Sequence, residues 1–447
     1  MRRFWRGTVL MGLFCAMPAM GQTSSEWWTA FDDPQLEAYV VRAMEQNQDL
    51  LAARAQGKQS SALVFQQATG SLPQVALAAN ANLSPTNSLG FGMGFQIPQS
   101  DETPKSFSTG QATLNVSMNV DLFGQNSSLI YAADRDARAM SAEIQNQRQR
   151  TTGSVAGAYW DVIVAHQSLA LGQAQLQTQE ELLEILNLRF SATEVSALDV
   201  LQQRQQVASA RVQLPQRRLQ VQQAEQRLAV LLGYSPTERV STAEQLPNVQ
   251  AVRSETEVLE AVRMRPDIQA MMRRVQAAKA RQWSAWASAL PSVGVSARTG
   301  VQFFDQGEFS SQSIWGAGAT LTVPLFSGGK TYGSIRRARG GVMEAEARLN
   351  SAELNARDQV LMAYARDREQ SELLSAYSAQ LEAAQNAWDL AKQQVGTGLT
   401  TYLNAQVILV RLQQAEVAHL LGQREALAAR VALIQSLGGS LPLEESP

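Results

Sequence analysis

Cysteine is nearly absent from this 447-residue chain, and histidine occurs only twice. Cys15 lies in an N-terminal segment that reads as a removable export signal. The mature chain would then hold no disulfide and no thiolate metal site. His166 and His419 fall on helical segments with no nucleophile or ligand pair beside them. Phosphate loops, dinucleotide fingerprints, zinc spacings and nucleophile elbows are missing as well. The expectation is a chain that is not an enzyme, with no catalytic residue, no metal and no cofactor. Charge is sparse too: 17% of residues are charged and the net charge is −2, which leaves no basic footprint for nucleic acid. After the first 21 residues no apolar run approaches the roughly 20 residues of a membrane helix. An exported chain of this kind is either soluble in the periplasm or crosses the outer membrane as a β-barrel.

The signal has the usual three parts. Arg2, Arg3 and Arg6 form its basic start, and Gly7–Ala16 its apolar core. Ala19-Met20-Gly21 is a small-x-small cleavage site, with the cut between Gly21 and Gln22. Phe14 stands where a lipoprotein signal needs a small residue, so lipidation of Cys15 is not expected.

What is present is a duplication. Asp49-Leu50, a helical run and Ser71-Leu72-Pro73 return as Asp267-Ile268, a helical run and Ala289-Leu290-Pro291, at a spacing of 218 residues. Val120-Asp121-Leu122-Phe123-Gly124 returns as Val323-Pro324-Leu325-Phe326-Ser327 at a spacing of 203. Leu231-Leu232-Gly233 returns as Ser436-Leu437-Gly438 at 205. Each copy reads helix, paired strands, long helix, turn, long helix. The expected layout is a signal at 1–21, a first repeat at 22–235, a linker at 236–253, a second repeat at 254–440 and a tail at 441–447.

Four segments alternate with period two. Ala112, Leu114, Val116, Met118, Val120 and Leu122 interleave with Gln111, Thr113, Asn115, Ser117, Asn119 and Asp121. Val75, Leu77, Ala79, Ala81 and Leu83 lie opposite Gln74, Asn80 and Asn82. Val293, Val295, Ala297, Val301 and Phe303 lie opposite Ser292, Ser296, Arg298 and Gln302. Trp315, Ala317, Ala319, Leu321, Val323 and Leu325 lie opposite Gly316, Gly318, Thr320 and Thr322. Strands are expected at about 74–83, 111–123, 292–303 and 314–326. Their length is that of a tilted membrane strand, with apolar residues toward lipid and small polar ones toward a wet lumen. A soluble, half-buried sheet alternates in the same way and stays open on this pattern alone. If the sheet is a membrane barrel it must close, since lipid cannot satisfy an open edge. Barrels of this kind have about 8 strands or more, so four per chain require an oligomer. The loop at Ser84–Lys105 is long and the one near Asp305–Ser313 is short; both read as extracellular or as plain surface loops.

Past Gly124 no strong helix breaker appears until Phe190, and the second copy does the same from Tyr332 to Val395 apart from Gly340-Gly341. A helix of about 65 residues is roughly 100 Å long. Return helices follow from Asp199 to Leu232 and from Tyr402 to Leu437, giving helix pairs at about 125–232 and 331–437. Apolar residues recur at three and four spacing as a narrow, coiled-coil-like seam. Such a seam suits a wall one helix thick, although a solid antiparallel bundle would show it too. Pro215 predicts a kink in the first return helix only. Trp283 and Trp286 read either as an interfacial anchor or as core.

Several of these segments together resemble the TolC-like outer-membrane efflux protein family, in particular its NodT-type branch. The residues are Trp27-Trp28, Phe31, Asp33-Pro34 and Leu36, then Asn47-Gln48-Asp49-Leu50. Arg189-Phe190, Ser196–Leu201 and Leu228–Gly233 follow, then Val323–Gly329 and Gly398–Asn404. The resemblance spans nearly the whole mature chain and rests on motif order and duplication. It implies an α+β membrane protein: a homotrimer with a twelve-stranded barrel in outer-membrane lipid, continued by an α-helical coiled-coil tunnel in the periplasm of a Gram-negative bacterium. It implies the exit duct of a tripartite efflux or type I secretion system, passively exporting drugs, other toxic small molecules or secreted polypeptides. The implied partners are a periplasmic adaptor protein and an inner-membrane pump. The alternative is a periplasmic coiled-coil structural or adaptor protein, although the lipoyl-like or β-barrel module usual in adaptors is missing. The resemblance also implies a gate at the helix-turn end. Counted from Gly398, its ring falls on Leu403, Asn404 and Val407, with Tyr402 beside them and Asp199 as the only acid. Asp199 equally suits the N-terminal turn of a helix, where a carboxylate is favoured.

Overall fold

The computed structural model describes residues 26–85, 106–247, 261–305, 309–397 and 399–439. The signal with Cys15, Gly21 and Gln22 lies outside them, as do residues 86–105 of the first strand connection, Gly398 and the C-terminal tail.

The duplication is visible element by element. Helix α1 (Pro34–Gln46) leads into α2 (Gln48–Thr69), strands β1 (Gln74–Pro85) and β2 (Ser106–Val120), and helices α3 (Gln125–Ser191) and α4 (Ala197–Leu231). The second half repeats this with α5 (Pro266–Ala287), β3 (Ser292–Asp305), β4 (Phe309–Thr322), α6 (Lys330–Thr397) and α7 (Tyr402–Ser436). α2 and α5 are both 22 residues long, α4 and α7 both 35, and α3 and α6 have 67 and 68. β2 begins at Ser106 and β4 at Phe309, so both strands reach further out than the alternating segments suggested.

Local chemistry sets the element ends. Asp33 caps α1 by accepting from Gln35 N (2.9 Å) and Leu36 N (3.0 Å), with Pro34 in the first turn. Asn47 caps α2 by accepting from Leu50 N at 3.1 Å. α4 ends at left-handed Gly233 (φ 74°), where Tyr234 N–H donates to Ala229 O at 2.9 Å; α7 ends at Gly438 (φ 77°), where Gly439 N–H donates to Ile434 O at 2.9 Å. Both are the same closing turn, which glycine enters without a Cβ clash. The step from a 203- to a 205-residue spacing is also located. One left-handed glycine, Gly124, precedes α3, whereas Gly328 and Gly329, both left-handed, precede α6. Pro215 lies inside α4 without ending it.

The sheet order is β1-β2-β3-β4, antiparallel throughout. The β2–β3 pairing, from Ser108↔Asp305 to Val120↔Val293, splices the two halves edge to edge. In one chain β1 and β4 each keep one unpaired edge. Register puts like with like: Val75, Val116, Ala297 and Ala317 share one row, and Asn80, Gln111, Gln302 and Gln312 share another of opposite parity. Several apolar-parity side chains have no cover, including Leu77 (77% exposed) and Trp315 (84%).

The packed core is a belt midway along the long helices. There α1 and the Trp27–Phe31 turn pack on α3 at Tyr159, Trp160 and Ile163, with Leu228 of α4 and Leu427 of α7. A smaller cluster joins Ile268 of α5 to Val360 of α6 and Leu433 of α7. The extended segment after α4 is fastened across this belt: Tyr39 OH donates to Ser241 O (2.8 Å), and Ala243 N–H donates to Tyr159 Oη (3.0 Å). Trp283 and Trp286 are exposed, not core; Trp283 Nε1 donates to Phe123 O at 3.2 Å, just below the sheet.

Candidate functional site at the helix-turn end

Far from the sheet, the α3–α4 and α6–α7 turns lie at the ends of helices about 100 Å long. They are equivalent at a spacing of 205 residues, so Thr193 matches Gly398, Ser196 matches Thr401, and Asp199 matches Asn404. In the first turn Thr193 N–H donates to Phe190 O (3.0 Å) and Glu194 N–H to Arg189 O (2.9 Å), with Thr193 left-handed at φ 64°. In the second, Leu399 N–H donates to Gln394 O at 3.0 Å, the counterpart of the Glu194 bond.

Each return helix is then capped. Ser196 and Asp199 form a reciprocal box: Asp199 N–H donates to Ser196 Oγ (3.2 Å), and Ser196 N–H (2.9 Å) and Oγ–H (2.6 Å) donate to the Asp199 carboxylate. These bonds stabilise the anion and hold its pKa below the usual carboxylate value. In α7 only half of this survives. Asn404 N–H donates to Thr401 Oγ1 (3.3 Å), while the Asn404 amide turns to Thr400 Oγ1 (3.1 Å). An amide has replaced the acid at the same place.

The five residues singled out at this end fall into three environments. Leu403 (60% exposed), Asn404 and Val407 (45% exposed) lie on the open side of α7, opposite buried Ala405 and Leu409. Asp199 is half-buried in its cap. Tyr402 turns inward, away from Leu403.

The inward side holds a buried amide cluster that sequence reasoning did not find. Gln203 of α4 is fully buried, and its Nε2 donates to Gln179 O (2.6 Å) and Gln179 Oε1 (2.8 Å) on α3. Gln406 Nε2 of α7 reaches the same Gln179 Oε1 at 3.3 Å. Tyr402 closes the network by donating its hydroxyl to Gln203 Oε1, and it lies 3.4 Å from Gln406 Oε1. Burial, and then the nearby Asp199 charge, push the Tyr402 hydroxyl up to about 12, so it stays protonated and able to donate. Four side chains thereby tie three helices from both halves. Arg189 Nη2 adds a longer link to Val395 O at 3.4 Å. Beside the network, Ile185, Arg189, Trp388, Lys392 and Gln406 line a cavity of about 350 Å³. The signal for Gln203 was its spacing: it sits between buried Val200 and Val207 at three and four residues, an amide in an apolar seam.

The family model described as "Outer membrane efflux protein" matches residues 39–234 and 258–439. Nodulation protein T of Rhizobium leguminosarum bv. trifolii is 24% identical over 85% of this chain and 80% of its own length. The pyoverdine export outer membrane protein OpmQ of Pseudomonas aeruginosa is 28% identical over 93% of this chain and 87% of its own. Among solved structures, the outer-membrane channel OprN superposes with a TM-score of 0.80 at 25% identity, covering 93% of this chain and 92% of that one. The Campylobacter jejuni CmeC outer membrane channel gives 0.82 at 18% identity, over 94% and 89%. The fold is thus that of the trimeric outer-membrane channels, a twelve-stranded barrel with four strands from each chain, continued by a helical tunnel into the periplasm. With both of its halves matched, the chain belongs to the outer membrane efflux protein family and is an outer-membrane exit channel of an efflux system.

Proposed function

We propose that three copies form a passive duct that receives small molecules from an inner-membrane pump through a periplasmic adaptor, and that the helix-turn end is its gate. The observation that carries the gate is the division of α7. Leu403, Asn404 and Val407 present an uncovered stripe at the tunnel end, while Tyr402 and Gln406, interleaved with them, are locked to Gln203 and Gln179. In a trimer the stripe recurs three times around the axis and narrows the bore with apolar and amide groups. Asp199, from the neighbouring helix pair, adds a negative charge close enough to act on Tyr402. The amide cluster holds the two hairpins of one chain together, and opening requires the hairpins to separate at that cluster. Relatives carry names such as toluene efflux pump outer membrane protein TtgF and antibiotic efflux pump outer membrane protein ArpC, which supports small apolar or drug-like cargo. Transport is driven from the pump.

The test is conductance of the purified trimer in planar bilayers. Leu403→Ala and Asn404→Ala are expected to raise single-channel conductance, because each widens the ring. Tyr402→Phe removes one tie and is expected to raise the frequency of open events with less change in their size. Unchanged conductance in both ring variants would place the constriction elsewhere.

A further inference from the structure

Arg298 lies near the middle of β3, on the strand parity that carries Ser292, Ser296 and Gln302. The register places it in one row with Ala76, Asn115 and Gly316. Gly316 offers no side chain there, and a Cβ built on it would lie 3.8 Å from Arg298 Nε, so the arginine stem runs over bare backbone. Asn115 points its amide at Thr113, 3.1 Å from Oγ1. Among the described residues of the four strands, no other charged side chain shares this face. Asp305, at the outer end of β3, has the opposite parity. Asp121 follows the end of β2, six positions beyond Asn115 and thus about 20 Å along the strand, and it accepts from Ser127 N at 2.7 Å. The rest of the face is neutral, including one amide per strand in the row Asn80, Gln111, Gln302 and Gln312.

A charge in this position faces water and not lipid, because lipid excludes a lone guanidinium. With guanidiniums reaching about 6 Å inward from a twelve-stranded wall roughly 24 Å across, three of them lie on the order of 10 Å apart, about one Debye length at 0.1 M salt. Their fields therefore overlap across the whole bore, and among the described strand residues this face holds no counter-charge to cancel them. We propose that the three Arg298 side chains form a cationic ring in the barrel lumen that binds and concentrates multivalent anions, such as solutes bearing phosphate or several carboxylates. This rests on the trimeric barrel with its polar face inward. The planar, always-charged guanidinium suits oxyanions better than a point charge does.

Inorganic tripolyphosphate, added to the barrel side of channels formed by the full chain in planar bilayers, is the probe. It is expected to reduce wild-type current. Arg298→Gln is expected to raise the half-blocking concentration about tenfold or more, equivalent to about 1.4 kcal/mol. Arg298→Lys is expected to keep most of the block. Channels of Arg298→Gln that block like wild type, or wild-type channels that conduct without block, would overturn the ring alone. A wild-type chain that forms no channel would overturn the barrel reading, and the ring with it.

Discussion

Thr193 is strained where its equivalent is free to relax. Its φ of 64° is the left-handed conformation that a β-branched residue adopts at a cost, and the position 205 residues later is Gly398. The turn nevertheless closes with the same pair of backbone bonds that end α4 and α7 at glycines, so the geometry is imposed by the hairpin and not chosen by the threonine. Thr193→Gly is therefore expected to stabilise the first hairpin by roughly 1 kcal/mol, read as a higher midpoint of thermal unfolding by circular dichroism. A lower midpoint would mean that the Thr193 side chain makes a stabilising contact in the trimer that outweighs its backbone cost. At this same scale Asp199 and Asn404 occupy one structural position with different chemistry. The acid completes a cap and holds a negative charge at the tip, whereas the Asn404 amide donates to Thr400 Oγ1 instead of closing the cap and leaves its own helix end neutral.

The long helices owe their cohesion to narrow seams and a few buried polar ties. One joins α7 to α6, where Arg430 and Asp367 are 4% and 7% exposed and bond at 2.8 and 3.1 Å. Removing one partner strands a buried charge, which typically costs about 3–5 kcal/mol, while replacing both with apolar groups of similar size is often neutral. Arg430→Ala is expected to lower the urea midpoint strongly, and Arg430→Met with Asp367→Leu to restore most of it; equal loss in both would show that the pair itself, and not the orphaned charge, matters. The elements were legible in the sequence for clear reasons. Period-two alternation survives in a strand that faces water on one side and lipid on the other, and a helix of 67 residues leaves a long stretch without breakers. The polar ties were not legible. Gln179, Gln203 and Gln406 look like solvent-facing glutamines in a Gln-rich chain, and only the seam spacing of Gln203 betrays it. Successive helix residues point about 100° apart, which is why Tyr402 faces the cluster while Leu403, next to it in sequence, faces outward.

At the scale of the molecule, the chain is one third of a closed structure. Its sheet has two open edges and uncovered apolar side chains. Only assembly satisfies the strand edges, since backbone groups left open in lipid cost several kcal/mol each. In the closed sheet the apolar parity meets lipid, and Arg298 with Thr299 gives a test of that assignment at constant composition. The two are adjacent near the middle of β3 and point to opposite faces. Exchanging them, as Arg298→Thr with Thr299→Arg, moves one guanidinium per chain from lumen to lipid at nearly the same depth. The expected cost is about 2–4 kcal/mol per chain at the bilayer midplane, and it multiplies over three chains. The exchanged protein should therefore give little heat-resistant trimer on gels of outer membranes, whereas Arg298→Thr alone should assemble normally. Normal assembly of the exchanged protein would reverse the assignment of faces. It would also take Arg298 out of the lumen, because a strand of fixed register cannot turn both neighbours the same way.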